Sequence, residues 1–160
     1  SALLREVIEL YQYVAEEKKI TVTTDFAEPC EASLDPIRMR QVFANLLDNA
    51  IKYTNAGGQV TVQARRDGPN LVVKFRDTGM GIPTAEQGKI WDRLYRGDKS
   101  RSQRGLGLGL SLVKAIVHAH HGRVDVVSQP DQGSEFTVVI PTENGAPVMP
   151  ERGSATRSVA

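Results

Sequence analysis

The chain has 160 residues, 40% hydrophobic and 24% charged, with a formal net charge of +1. That is enough apolar material for one packed domain, and too little net charge to draw the whole molecule to nucleic acid or lipid. No apolar run approaches the roughly 20 residues of a membrane helix, and Arg5, Glu6 and Glu9 interrupt the first apolar positions, unlike a signal peptide. The single cysteine, Cys30, excludes an internal disulfide, fits a reducing compartment and reads as an inert strand residue beside Pro29.

Leu3, Leu4, Val7, Ile8, Tyr11 and Val14 recur at helical spacing and predict an amphipathic helix ending near Lys18. Residues 20–26 alternate with β-branched side chains and predict a strand. Asp35-Pro36 supplies an N-cap and a first-turn proline for a second helix, which runs to about Tyr53 and stops at Asn55-Ala56-Gly57-Gly58. Strands over 59–66 and 70–76, joined by Asp67-Gly68-Pro69, predict a hairpin. A long stretch rich in glycine and charge follows from Asp77 to Gly109, with one short helix expected over 85–94. A helix is expected over 108–121, closed by Gly122 as C-cap, and a last strand pair over 123–128 and 134–140. From 142 onward Gly, Pro, Ser and Ala dominate, so 1–141 is expected to be the domain and 142–160 a disordered tail. Paired antiparallel strands with helices between them predict an α/β two-layer sandwich: a mixed, mostly antiparallel sheet with its helices on one face. A long irregular stretch inside such a domain is more often a functional lid than filler.

Three groups of residues carry chemistry. Gln41, Asn45, Asn49 and Lys52 share one side of the second helix. A solvated polar face would suffice for any one of them, but two asparagines in a helix interior are poor helix formers. A carboxamide oxygen is a hard neutral ligand that suits Mg²⁺, whose remaining shell is filled by phosphate oxygens and water. Asn49 fits that role, and Lys52 could neutralise phosphate. Asp77-Thr78-Gly79-Met80-Gly81 follows a strand directly. It reads either as an Asp-Gly turn or as an acceptor-only carboxylate for the exocyclic amine of adenine, where guanine offers a carbonyl. Gly79 and Gly81 would then let backbone approach the ring. Gly105-Leu106-Gly107-Leu108-Gly109 opens a helix and suits a phosphate cradle of backbone N–H groups, with a flexible linker as the alternative. Its spacing is not that of a dinucleotide fingerprint, since Leu108 and Leu110 stand where glycine or alanine belongs. Gly88-Lys89 lacks the upstream glycine of a P-loop, position 83 being Pro.

In this order the three groups resemble the ATP-binding family shared by histidine kinases, gyrase-type topoisomerases, Hsp90-type chaperones and mismatch-repair ATPases, over residues 1–141. Residues 45–53 are similar to the N box of histidine kinases, 77–82 to their first glycine box and 105–110 to their second. Residues 90–96 are similar to the F box, with Trp91 and Leu94 where phenylalanines are usual, and 133–136 to the last glycine motif. Hydrolytic members carry a glutamate four residues before the magnesium asparagine; here that position is Asn45, as in histidine kinases, and an amide cannot take a proton from water.

The resemblance implies a protein-histidine kinase catalytic domain with ATP and Mg²⁺ as its cofactors. Asp77 would select adenine, with Ile82 and Ala50 nearby, and Asn49 would hold the metal with Asn45 directly or through water. Lys52 and Arg96 would balance phosphate charge, Tyr53 would contact phosphate or merely pack, and Gly105, Leu106, Gly107, Leu108 and Gly109 would line the phosphates. Asn45, Lys52 and Arg96 form the expected catalytic set. Lys99, Arg101 and Arg104 in the lid read singly as solvated. His118, His120 and His121 are the only histidines, and none is followed by the acidic residue usual after a phosphoacceptor. They read as cations at a helix C-terminus. The acceptor histidine is therefore expected on a separate dimerisation domain, and a response regulator as the onward partner, with no nucleic-acid or direct membrane contact. A fragment is expected from Ser1 in place of Met, located on the cytoplasmic side of a sensor kinase. A gyrase-type or chaperone-type ATPase and a nucleotide-binding regulatory module are the alternatives.

Overall fold

The structure of the protein, a computed structural model, describes residues 1–96 and 109–142. In chain order they form α1 (Ala2–Glu17), β1 (Thr21–Phe26), α2 (Pro36–Lys52), β2 (Gln59–Asp67), β3 (Asn70–Asp77), the single turn α3 (Thr84–Gln87), α4 (Gly109–Ala119), β4 (Arg123–Ser128) and β5 (Ser134–Pro141). The strands make one sheet in the order β1-β2-β3-β5-β4. Only β1 and β2 run parallel, because the chain crosses between them through α2; the other pairings are antiparallel.

Register decides which side chains face the helices. Val22, Val60, Asp77, Ser134 and Ser128 stand in one cross-strand row, Thr24, Val62, Phe75, Phe136 and Val126 in the next, and Phe26, Ala64, Val73, Val138 and Val124 in a third. The second and third rows are largely apolar and bury against α1, α2 and α4; the first, at the sheet end nearest the glycine loops, ends in polar groups. On the opposite face Val72 and Val139 pair with each other between Arg65 and Arg123, and both are buried.

Helix α2 is the centre of the helical layer. Asp35 caps it by accepting the N–H groups of Ile37 and Arg38 at 3.0 and 3.1 Å, and Pro36 needs no donor at its position. Met39, Val42, Phe43, Leu46, Leu47, Ala50 and Ile51 are all buried, and each large one contributes about 1.5–3 kcal/mol by leaving water. In α1 the inward stripe runs Leu4, Val7, Ala15; Val14, expected in it, is exposed and Ala15 takes its place.

Other departures from expectation have local causes. The helix expected over 85–94 is only α3 followed by turns, and Leu94 lies at φ +64, where no right-handed helix continues. Cys30 is buried but belongs to no strand; its thiol donates to the carbonyl of Ala27. At the end of α4 it is His121, not Gly122, that adopts the left-handed conformation, at φ +59. Gly122 is required by space instead, since a Cβ there would lie 2.3 Å from the Val139 carbonyl oxygen. His120 is held on both sides: its Nε2 accepts the N–H of Asp35 at 3.1 Å, and its Nδ1 lies 2.8 Å from the carbonyl oxygen of Ile116. Thr142, assigned to the tail, is buried and folded, its N–H and hydroxyl both donating to the Pro69 carbonyl.

Candidate functional site

The polar side of α2 sinks as the helix proceeds. Gln41 is exposed, while Asn45, Asn49 and Lys52 are half-buried. The start of α4 lies beside this stripe, with Asn45 Nδ2 3.5 Å from the carbonyl oxygen of Gly109, the long limit of a hydrogen bond. The Asn49 carboxamide has no partner among the described residues. At the helix end the Lys52 ammonium stands 5.5 Å from the centre of the Tyr53 ring.

Asp77 ends β3 and is 6% exposed. Its Oδ1 accepts the N–H groups of Gly79 at 2.8 Å and Ser134 at 3.3 Å, while Oδ2 has no partner among the described residues. Burial raises its pKa above the usual carboxylate range, and the two amides pull it back. A carboxyl held at this depth with one oxygen open is poised to accept a donor from outside the protein.

Around Asp77 the loops pack backbone to backbone. A Cβ on Gly79 would lie 2.3 Å from the Tyr53 carbonyl oxygen, one on Gly81 1.9 Å from that of Gln129, and one on Gly133 1.9 Å from that of Asp77. These glycines therefore answer first to the protein's own packing. The N–H of Met80 donates to the Tyr53 carbonyl at 3.1 Å and so ties the loop to the end of α2. On the other side Ser128 Oγ accepts the N–H of Ile82 at 2.8 Å, and Gln87 Nε2 donates to the carbonyls of both Ile82 and Ser128. Ser128 and Ser134 hydroxyls lie 2.8 Å apart.

The fold thus brings Tyr53, Asp77, Gly79, Gly81 and Ile82 into one bonded assembly, and Asn45 against Gly109. Arg96 is half-buried at the end of its described segment. Gly105, Leu106, Gly107 and Leu108 lie outside the described residues, as do Lys99, Arg101 and Arg104. His118 and His121 are exposed, and among the described residues no three His, Cys, Asp or Glu side chains cluster as a metal site.

Residues 34–144 match the model of the histidine kinase-, DNA gyrase B- and HSP90-like ATPase family. The chain belongs to that family. Its relatives within it include sensor kinases. It is 43% identical over 141 residues to the adaptive-response sensory kinase SasA of Synechocystis, a match covering 87% of this chain and 37% of that protein. Full-length ShkA, solved in complex with AMPPNP, superposes with a TM-score of 0.79 at 32% identity, covering 92% of this chain and 31% of ShkA. The mycobacterial sensor histidine kinase MprB gives a TM-score of 0.78 at 28% identity, covering 92% and 96%. The chain spans little more than a third of the length of SasA and corresponds to the catalytic, ATP-binding part of a histidine kinase.

For a member of this ATPase family, the residues that sequence reasoning missed are the bracing ones. Lys18, Gln87 and Ser128 hold the site loops, yet their long-range bonds to Ile51, Ser128 and Ile82 span 33 to 46 residues and follow no motif or period. Only tertiary structure brings them there.

Proposed function

We propose that this domain binds Mg-ATP and donates the γ-phosphate to a histidine on a separate dimerisation domain, for onward transfer to an aspartate of a response regulator. The observation that carries the reading is Asn45. It occupies the place from which a hydrolytic base would act, and its carboxamide leans on Gly109 instead of presenting a carboxylate.

The open Oδ2 of Asp77 supports adenine recognition, since an acceptor-only group takes the exocyclic amine and rejects the guanine carbonyl. Half-buried Ile82 offers apolar surface beside it. Asn49 and Asn45 fit Mg²⁺, being neutral oxygen donors one turn apart, the first without a protein partner among the described residues. Bound there, the metal would neutralise charge on the transferring phosphate. Lys52 and Arg96 would orient the phosphates and offset their charge, in a reaction that relies on positioning more than on covalent help. Glycines 105, 107 and 109 would add backbone donors.

Among the described residues no helix is long and apolar enough to cross a membrane; placement on the cytoplasmic side of a sensor kinase rests on the relatives. The test is to mix the chain with its histidine-bearing domain and ATP labelled at the γ-phosphate. Label should appear on the histidine, be stable to alkali and labile to acid, and require Mg²⁺. Label that stays off the native partner, with steady hydrolysis by the chain alone, would favour the ATPase reading.

A further inference from the structure

The C-terminal end of α2 accounts for every carbonyl left without an intrahelical partner. The Asn49 carbonyl accepts the N–H of Tyr53, and that of Ala50 accepts the Thr54 hydroxyl at 2.7 Å. The Tyr53 carbonyl accepts the N–H of Met80. Those of Ile51, Lys52 and Thr54 all accept from one group, the Lys18 ammonium, at 2.8, 2.7 and 3.2 Å, and that of Ile51 also takes the N–H of Thr54 at 3.4 Å. An ammonium has three donors, and here all three are spent. A cation on the last carbonyls of a helix also sits at the negative end of its dipole.

Two of these donors come from other parts of the fold. Lys18 is the residue that ends α1. Met80 belongs to the loop after Asp77. The last turn of α2, which carries Lys52 and Tyr53, is thus clamped between the end of α1 and the loop proposed to hold adenine. We infer that Lys18 is a positioning residue for the nucleotide site: it fixes the end of α2, and through the Tyr53 carbonyl the loop from Asp77 to Ile82. This rests on the nucleotide reading above. Burial lowers the pKa of Lys18, Asp48 opposing and Lys52 adding to the effect, as expected of an ammonium taken partly out of water to serve carbonyls.

Removing the ammonium while keeping the stem, as in Lys18→Met, takes a charge-assisted donor from each of three carbonyls, of which that of Ile51 keeps only the long bond from the Thr54 N–H. A merely structural contribution would act on nucleotide affinity only in proportion to lost stability. Asp35→Ala separates the two cases, because it weakens the same helix from its other end, far from Tyr53 and Met80.

The experiment is a Mg-ATP titration of the full chain by calorimetry, with unfolding curves for each variant, on the parent, Lys18→Met, Asp35→Ala and Asp77→Asn. Lys18→Met should weaken Mg-ATP about tenfold, the weight of roughly one charge-assisted hydrogen bond. Asp35→Ala should stay within about twofold, as sites with no shared partner act independently. Parent-like affinity in Lys18→Met, or affinity falling equally with stability in it and Asp35→Ala, overturns the inference. In either of those outcomes a loss of binding in Asp77→Asn leaves the nucleotide reading standing; parent-like binding by Asp77→Asn shows that the reading itself has failed. Should Lys18→Met not fold, the ¹⁵N resonance of the Lys18 ammonium in the unaltered chain decides. A shift on adding Mg-ATP supports the clamp, and a stationary resonance overturns it.

Discussion

Asp77 shows most directly how a residue proposed to recognise the nucleotide opposes stability. Its carboxylate is buried without a countercharge, and its raised pKa means that folding favours the protonated form. For an acid shifted in that sense, the stabilising contribution is complete below the unfolded pKa and is lost as pH rises through the folded one. Asp77→Asn keeps an oxygen for the Gly79 and Ser134 amides and removes the charge. It should melt higher than the parent at pH 7, the gap closing as pH falls through the carboxylate range, while adenine nucleotide binding is lost. Melting curves at pH 7 and pH 4 with a binding titration check both parts. Two glycines allow a second comparison. Gly68 and Gly133 both have positive φ, at +56 and +85, but a Cβ on Gly68 meets nothing, whereas one on Gly133 meets the Asp77 carbonyl. Gly68→Ala should cost about 1–2 kcal/mol, the conformational term alone. Gly133→Ala should exceed about 4 kcal/mol in urea unfolding, because backbone must move. Equal costs would mean that the contact is relieved without strain.

At the scale of elements, α2 does two jobs with two faces. Its apolar face touches α1, α4 and the sheet, and its polar side supplies Asn45, Asn49 and Lys52. The two faces should respond differently to substitution. Leu46→Ala, at 0% exposure, should cost about 2–5 kcal/mol by leaving a cavity. Asn49→Ala should leave the unfolding midpoint nearly unchanged, since no described residue bonds its carboxamide, yet remove the Mg²⁺ dependence of nucleotide binding. Unfolding curves beside titrations with and without Mg²⁺ measure the two effects, and unchanged Mg²⁺ dependence in Asn49→Ala would remove the metal assignment. The turn between β4 and β5 is equally specific in purpose. Through Ser128, Gln129 and Gly133 it braces the loop from Asp77 to Ile82 from behind, so that loop is held by the sheet's own connection.

For the molecule as a whole, one core joins all the helices except α3 to a single face of the sheet, and it includes residues on both sides of the site. Trp91, the only tryptophan, meets Phe136 edge to face at 5.9 Å and packs against that core. Its fluorescence should therefore change in the same urea transition as the far-ultraviolet circular dichroism, as for a two-state domain. A fluorescence change at distinctly lower urea would show that residues 84–96 open separately from the sheet. The match covers only about a third of SasA, and the proposed reaction needs an acceptor histidine, whereas none of the three in this chain is followed by the acidic residue expected of one.

The sequence by itself determined the elements apart from the helix expected over 85–94, the mixed sheet with helices on one face, and the family. Those follow from short-range signals: the period of α2, the Asp35-Pro36 start, the turn residues at Gly68 and Gly133, and clustered motifs around Asn49, Asp77 and Gly109. It misjudged places where a neighbour distant in sequence sets the conformation. Gly122 was expected as a cap and is required by the Val139 carbonyl; His120, expected only at a helix end, accepts the N–H of Asp35 from across the fold. Tertiary structure alone decided that Asp77 has one oxygen held and one open, that Gly79 and Gly81 yield to protein backbone, and that Lys18 closes the end of α2. The physical reason is common to all three. Each depends on burial and on hydrogen bonds between residues far apart in the chain, and such pairings leave no periodic trace in the sequence.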